Sequence, residues 1–179
     1  MDFVSRAGGK LQFALEQFNI SVKDLTLADF GSSTGGFVDC LLQNDAKKVY
    51  SVDTAYGELA WKLRNDPRVV VMERTNAMHV VLPELVDFIT VDTSWTKQKN
   101  ILPNVFKNLK SGCKVISLIK PHYEAGKGKL KEDEVEQVLQ VVKEDIKNAG
   151  GKIEKIIESP ILGEKGKNRE FLALVSIKD

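Results

Sequence analysis

The sequence predicts a single α/β domain built on a mainly parallel sheet, and two observations carry that expectation. Short apolar runs alternate with segments of helical periodicity along most of the chain. One of those runs, Leu25-Thr26-Leu27-Ala28, passes through the glycine-rich stretch Asp29-Phe30-Gly31-Ser32-Ser33-Thr34-Gly35-Gly36 into the helix-like Phe37-Val38-Asp39-Cys40-Leu41-Leu42. Continuous apolar strands joined by helices imply a parallel sheet covered on both faces. At 179 residues the chain is long enough for one good core and too short for a cofactor domain plus a separate substrate domain.

Taken in order, Gly9 to Phe18 places Leu11, Ala14, Leu15 and Phe18 on one helical face, an opening helix. Strands are expected at Leu25 to Phe30, Val49 to Asp53, Val69 to Glu73, Phe88 to Asp92 and Lys114 to Ile119. Between them, helices are expected at Phe37 to Gln43, Gly57 to Asn65, a short stretch near Met78 to Val81, and Asn100 to Lys110. Glu134 to Ala149 is the clearest helix, with Val135, Val138, Leu139, Val142 and Ile146 at helical spacing and Gly150-Gly151 as its stop. Lys152 to Ser159 and Glu170 to Ile177 then read as two final strands, joined by a loop from Pro160 to Arg169 too long for a tight hairpin.

Strand, glycine turn and helix in that order make a cofactor loop. Glycine lets the chain bend sharply and a ligand approach, and the first N–H groups of the new helix face that ligand. A dinucleotide fingerprint fits poorly: with Gly31 and Gly36 as its outer glycines, Ser33 stands where backbone must meet a pyrophosphate. Asp29 suits a cofactor bearing an amine and a sulfonium better than one bearing two phosphates. S-adenosylmethionine meets that description. Asp53, ending the next strand, can accept both ribose hydroxyls of an adenosine, a device that NAD sites share.

Composition excludes several classes. Charged residues make up 28% and apolar residues 42%, an ordinary globular balance, and a formal charge of +1 is not the footprint of bulk electrostatic nucleic-acid binding. No apolar stretch approaches the ~18 residues that cross a bilayer, and the first residues do not make a signal peptide, so a cytoplasmic protein without a membrane partner is expected. Cys40 and Cys113 lack CxxC spacing and read as buried core thiols. His79 and His122 are the only histidines, so no metal is expected.

Ligands of open α/β sheets sit outside the carboxyl ends of the strands, which singles out Asp53, Asp92 and Lys120. A lysine ending a core strand must meet a carboxylate or give up its proton, and Asp92 is the nearest candidate partner. Trp61 is assigned to the core, Trp95 to the lining of a substrate cleft, and His122 to substrate contact or loop packing. Lys127, Lys129 and Lys131, with Lys165, Lys167 and Arg169, form two basic segments that either stay solvated or track an RNA backbone.

A family resemblance rests on Ser5-Arg6-Ala7-Gly8-Gly9-Lys10-Leu11, Asp29 to Asp39, Val52 to Arg64, Glu73-Arg74-Thr75-Asn76-Ala77, Lys120-Pro121-His122-Tyr123-Glu124 and Ser159-Pro160-Ile161. In these segments the chain resembles the methyltransferase domain of TlyA-type (hemolysin-A-like) proteins, among the FtsJ-like ribose 2′-O-methyltransferases. The resemblance implies a Rossmann-like, S-adenosylmethionine-dependent methyltransferase fold: a mainly parallel seven-stranded sheet whose last strand is antiparallel. It implies methylation of ribose 2′-hydroxyls in ribosomal RNA or ribosomal subunits. It also implies a catalytic tetrad, carried by motif onto Lys10, Asp92, Lys120 and Glu170. Cofactor contacts carried over are Gly31, Ser32, Ser33, Thr34, Gly35, Gly36 and Phe37 of the loop, Asp53 for the ribose and Asn76 near the adenine; Asp29 and Asp92 are counted with them. Such proteins usually carry a small S4 RNA-binding domain before the methyltransferase domain, so residues 1–179 are expected to be the methyltransferase domain alone. The family's Asp-x-Ser-Phe reads Asp92-Thr93-Ser94-Trp95 here.

The expected chemistry has Lys120 accept the hydroxyl proton or stabilise the developing alkoxide, its pKa lowered by burial and by Lys10, with Asp92 and Glu170 orienting the lysines. A methyltransferase for a non-RNA substrate would share the cofactor loop, and a non-catalytic cofactor- or RNA-binding module would share the fold. Both alternatives stay open at this point.

Overall fold

In the computed structural model, which describes residues 2–163 and 167–178, seven strands form one sheet. The elements are α1 (Ala7–Phe18), β1 (Thr26–Phe30), α2 (Gly36–Gln43), β2 (Lys48–Val52), α3 (Trp61–Arg64), β3 (Val69–Met72) and β4 (Val86–Val91). They continue with α4 (Gln98–Lys107), β5 (Leu109–Ile119), α5 (Pro121–Glu124), α6 (Glu132–Asn148), β6 (Gly151–Glu158) and β7 (Phe171–Ile177). The sheet order is β3-β2-β1-β4-β5-β7-β6. All neighbouring pairs from β3 to β5 are parallel, and β7 runs antiparallel to both β5 and β6. The expected antiparallel last strand is present.

Alternation along the strands feeds two cores. Ala28 and Phe30 of β1, with Ile89, Val91, Val115 and Ile119, pack under α4 and α6; Leu27, Phe88, Ile116, Leu118 and Leu172 pack under α1 and α2. The α6 stripe Val135, Leu139, Val142 and Ile146 is buried against the sheet. The order in which strands are added reverses between β1 and β4, with β2 and β3 to one side and β4 and β5 to the other, so the crevice at their carboxyl ends is the switch point where α/β sheets bind ligands.

Three expected helices change shape. Of Gly57 to Asn65 only Trp61–Arg64 is helical, because Gly57 turns at φ 77° and its N–H is drawn to Glu73 Oε1 at 2.8 Å. Trp61 is 77% exposed at the start of this short helix, not in the core. The stretch near Met78 is a turn, in which Asn76 Oδ1 accepts the Met78 N–H and Asn76 O accepts those of His79 and Val80. The helix expected at Asn100 to Lys110 runs Gln98–Lys107, and β5 begins at Leu109, because Leu109 pairs with Val86 of β4. Cys40 is fully buried, whereas Cys113 is only half-buried near the outer end of β5.

The segment before α1 is fastened across the start of α2, where Asp39 Oδ2 accepts the Val4 N–H at 2.8 Å and pairs with Lys62 at 2.9 Å. That contact works only because Gly36 has no side chain. A Cβ there would fall on Ser5 Oγ and lie 2.9 Å from Gly8 N. Gly36→Ala is therefore expected to lose roughly 1–3 kcal/mol of stability by overpacking, read from the urea midpoint.

Candidate active site

The glycine turn is pinned from three sides. Gly31 and Ser32 N–H groups both donate to Val52 O, at 2.8 and 3.2 Å, and Asp92 N–H donates to Phe30 O at 2.9 Å. Gly31 sits at φ 91°, and an added Cβ would collide with the Asp92 carbonyl oxygen. Glycine is required there for both space and conformation. Ser33 turns at φ 47° and donates its N–H to Asp53 Oδ2 at 2.7 Å, while Asp53 Oδ1 accepts from Ala55 at 2.8 Å.

Two adjoining cavities open here. The smaller, about 240 Å³, is walled by Asp53, Asn76, Met78 and Ile101, among others; the larger, about 600 Å³, lies on the α1 side. Gly31, Ser33, Asp92 and Ser94 belong to both. Ser32, Thr34, Gly36 and Phe37 line the larger one. Two of the expected cofactor residues do not reach either wall. Gly35 caps α2 with its Cα facing Leu59 and Leu63, and Asp29 is fully buried beneath the turn, bonded by Thr90 Oγ1 at 2.6 Å. Asp29 supports the loop from below.

All four expected tetrad residues line the larger cavity. They form two ion pairs, Lys10 Nζ to Glu170 Oε2 at 2.5 Å and Lys120 Nζ to Asp92 Oδ1 at 2.5 Å, each largely closed to water. Lys10 is carried by α1 and Glu170 lies just before β7, and glycine at 163 leaves room for that carboxylate, since a Cβ there would come within 2.6 Å of Glu170 Oε1. Pro121 fixes the geometry of Lys120 by ending β5 and starting α5, with the lysine backbone extended at its border.

Charge states follow from these neighbours. Burial pulls the Lys120 ammonium down, but the Asp92 carboxylate, by charge and hydrogen bond, and then Glu170 and Tyr123, outweigh it, so its pKa lies above the ordinary lysine value. This overturns the expected lowering: burial is the largest single influence, but the groups that favour the charged form together outweigh it. His122 goes the other way, held below its ordinary value by burial first and then by Lys120 and Lys10. Burial lifts the Asp29 carboxyl to about 7 against the stabilising hydrogen bond from Thr90.

Around Lys120 the loops after β4 and β5 meet. Trp95, at φ 58°, stacks on Tyr123 with ring centroids 4.2 Å apart, and the Lys120 ammonium lies 5.6 Å from the Tyr123 ring centre. Positive φ is an outlier for a bulky residue, and the stack holds it. Beneath, Glu124 Oε1 accepts the Gln98 N–H at 2.9 Å, and the Gln98 side chain bonds Ser117 and Leu118 O. This buried network fastens α5 to α4. Tyr123, Ser5 and Arg6 also line the larger cavity; each stands inside a motif segment, but no site role was read for them from sequence. Among the described residues no cluster of His, Cys, Asp or Glu could hold a metal, and no helix is long and apolar enough to cross a membrane.

The smaller cavity decides between the two cofactor chemistries. Asp53, Glu58 and Asp92 line it, and no lysine, arginine or histidine does. Such walls repel a pyrophosphate and attract a cationic sulfonium cofactor. Each Asp53 oxygen takes one backbone N–H and keeps a lone pair for a ribose hydroxyl, and the Asn76 amide nitrogen remains a donor while its Oδ1 holds the turn. S-adenosylmethionine fits.

Sheet order, glycine turn and acid-walled cavity define a Rossmann-like methyltransferase. The chain belongs to the FtsJ-like methyltransferase family, whose sequence model matches residues 3–175. It is 41% identical over 182 residues to Hemolysin A of Brachyspira hyodysenteriae, covering 96% of this chain and 75% of that protein. It is 43% identical over 132 residues to the 16S/23S rRNA (cytidine-2′-O)-methyltransferase TlyA of Mycobacterium tuberculosis, covering 72% of this chain and 49% of that protein. The chain thus spans about half the length of the latter relative. A solved structure from Streptococcus thermophilus carrying the hemolysin name superposes with a TM-score of 0.93 at 39% identity, over all of this chain and 68% of that one.

Two outcomes test the electrostatics. Removing one member of the Lys10–Glu170 pair strands a buried charge, so Glu170→Leu is expected to cost roughly 3–5 kcal/mol and Lys10→Met/Glu170→Leu to recover most of it. Urea unfolding of the double-mutant cycle measures this. For Asp29, with a pKa raised from 3.8 to about 7, the folded state binds the proton more tightly than the unfolded chain. Its contribution to stability is therefore fully present at the acidic end and is lost as pH rises through that window. Asp29→Asn should flatten this component, visible as a wild-type-minus-variant difference that shrinks by a few kcal/mol between acid and neutral pH.

Proposed function

We propose that this chain transfers the methyl group of S-adenosylmethionine to a ribose 2′-hydroxyl of ribosomal RNA, in the cytoplasm, with Lys10, Asp92, Lys120 and Glu170 as its catalytic groups. The observation that supports this most is the pair of lysine–carboxylate contacts facing one cleft that adjoins the acid-walled cavity through Asp92. The similarity to relatives named as rRNA 2′-O-methyltransferases supports the substrate class.

Bound S-adenosylmethionine supplies an electrophilic methyl on a sulfonium. The chain's own groups must place and activate a weak nucleophile, and lining up oxygen and methyl carbon is worth much of the barrier. Lys120 Nζ carries its proton, so it donates a hydrogen bond to the hydroxyl oxygen and offsets the negative charge that develops there. Asp92 keeps that ammonium aimed. The methyl–oxygen bond would form at the expense of the methyl–sulfonium bond, whose sulfur would leave as a neutral thioether, and the Asp92 carboxylate beside Nζ is the acceptor in reach for the hydroxyl proton released. Lys10, locked to Glu170, forms the opposite wall and holds the ribose. The Trp95–Tyr123 stack offers an aromatic face to the base beside that ribose.

A lytic function, suggested by relatives bearing the hemolysin name, finds no material in α6, whose apolar stripe is spent on the sheet. Lys120→Ala is expected to lower methyl transfer to rRNA or intact subunits by at least ~10² while S-adenosylmethionine still binds. Labelled transfer followed by nucleoside digestion checks it, with a 2′-O-methylated nucleoside as the product. Unchanged turnover in the variant, or a methyl on a base, would sink this reading.

A further inference from the structure

A third cavity, of about 150 Å³, lies between α5, the start of α6 and the chain leading into β7. It shares one wall residue, His122, with the catalytic cleft. His122 is only 4% exposed, and its Nδ1 has no hydrogen-bond partner. Buried polar atoms are nearly always paired, so an unpaired ring nitrogen between two cavities points to a ligand.

The other walls say which ligand. Lys129 and Lys167 are exposed, and neither has an ion-pair partner among the described residues. Arg169 and Glu132 also line the cavity but neutralise each other, and Arg169 in addition holds Glu158 at 2.6 Å. Glu136, at 3.7 Å, and Glu158 face Arg169 from outside the cavity, so on the cavity's own wall the charges not taken up in ion pairs are the two ammonium groups. The two loops that bear them are tied together, since Asn168 Nδ2 donates to Gly128 O at 3.0 Å. The other lysines of the two basic segments behave differently: Lys127 is paired with Glu134 at 2.6 Å, Lys131 lies outside the cavity wall, and Lys165 falls outside the described residues.

We propose that this cavity is a subsite for one backbone phosphate of the RNA, next to the nucleotide being methylated, held by Lys129 and Lys167 with a hydrogen bond from the His122 ring. The inference rests on the RNA reading of the main cleft. Lysine binds phosphate as a point charge, and the neutral imidazole supplies one N–H. His122 lines both the cleft that holds Lys120 and this cavity, so the two adjoin at its ring, and a ribose at Lys120 has its flanking phosphate beside this wall.

The test uses the full chain with rRNA as methyl acceptor. In Lys129→Ala/Lys167→Ala the KM for RNA should rise several-fold and the slope of log affinity against log salt should flatten by about one, with S-adenosylmethionine affinity unchanged. Lys147→Ala/Lys152→Ala, at the opposite end of the sheet, should leave the slope alone. Separately, inorganic phosphate should shift the His122 imidazole ¹⁵N resonances in the wild type and not in the Lys129/Lys167 variant. Wild-type transfer to RNA with an unaltered salt slope in the variant overturns the subsite and leaves the RNA reading intact. A phosphate-induced His122 shift without methyl transfer to any RNA overturns the RNA reading and leaves an anion site. Neither transfer nor shift overturns both.

Discussion

Much of this molecule depends on how closely three strand ends approach at Gly31. Two consecutive N–H groups of the turn reach Val52 O at the end of β2, while Asp92 at the end of β4 bonds back to Phe30. The space between them is filled by backbone alone, since a side chain at Gly31 would strike the Asp92 carbonyl. This contact fixes Asp53 on one side, through the Ser33 N–H, and Asp92 on the other. The cofactor cavity and the catalytic cleft share a wall for the same reason. In the function proposed above, one cavity takes the methyl donor and the other the acceptor; what joins the two cavities is backbone packing, the least adjustable part of a folded chain.

Above that frame the site is built from buried charge. Lys10–Glu170 and Lys120–Asp92 each combine a cation and an anion out of water, an arrangement that contributes little net stability because desolvation offsets the attraction. What the pairing does supply is a defined charge state. Asp92, with Glu170 and Tyr123, keeps Lys120 protonated in spite of its burial, and burial, helped by the two lysines, holds His122 below its ordinary value. Lys120 and His122 are thereby set as one charged and one neutral donor. Such preorganised donors act without reorganising when charge develops.

Rigid support comes from polar groups far from the chemistry. Glu124 receives the first N–H of α4, Gln98 ties α4 to the end of β5 through Ser117 and Leu118 O, and Tyr123 is stacked on Trp95. A fully bonded buried network of this kind holds one arrangement of α5, and so one direction for Lys120. Asp29 gives separate support beneath the turn: with no exposure, it acts through the Thr90 hydroxyl and the turn above it.

The sequence by itself determined the α/β class, the strand ends carrying Asp53, Asp92 and Lys120, and the glycine turn, because these depend on local periodicity and on what a glycine lacks. Motif resemblance added Lys10 and Glu170 to the strand-end residues Asp92 and Lys120, and the structure brings all four to one cavity. Short elements were misread where a distant side chain or a paired strand set the boundary, as Glu73 does for the loop before α3 and Val86 for the start of β5. Only the tertiary structure decided that Lys10 meets a carboxylate 160 positions away, that Asp29 lies behind the cofactor wall, and that Lys120 keeps its proton. Charge state and access are set by distance and burial between residues remote in the chain, and neither quantity is written in any local stretch of sequence.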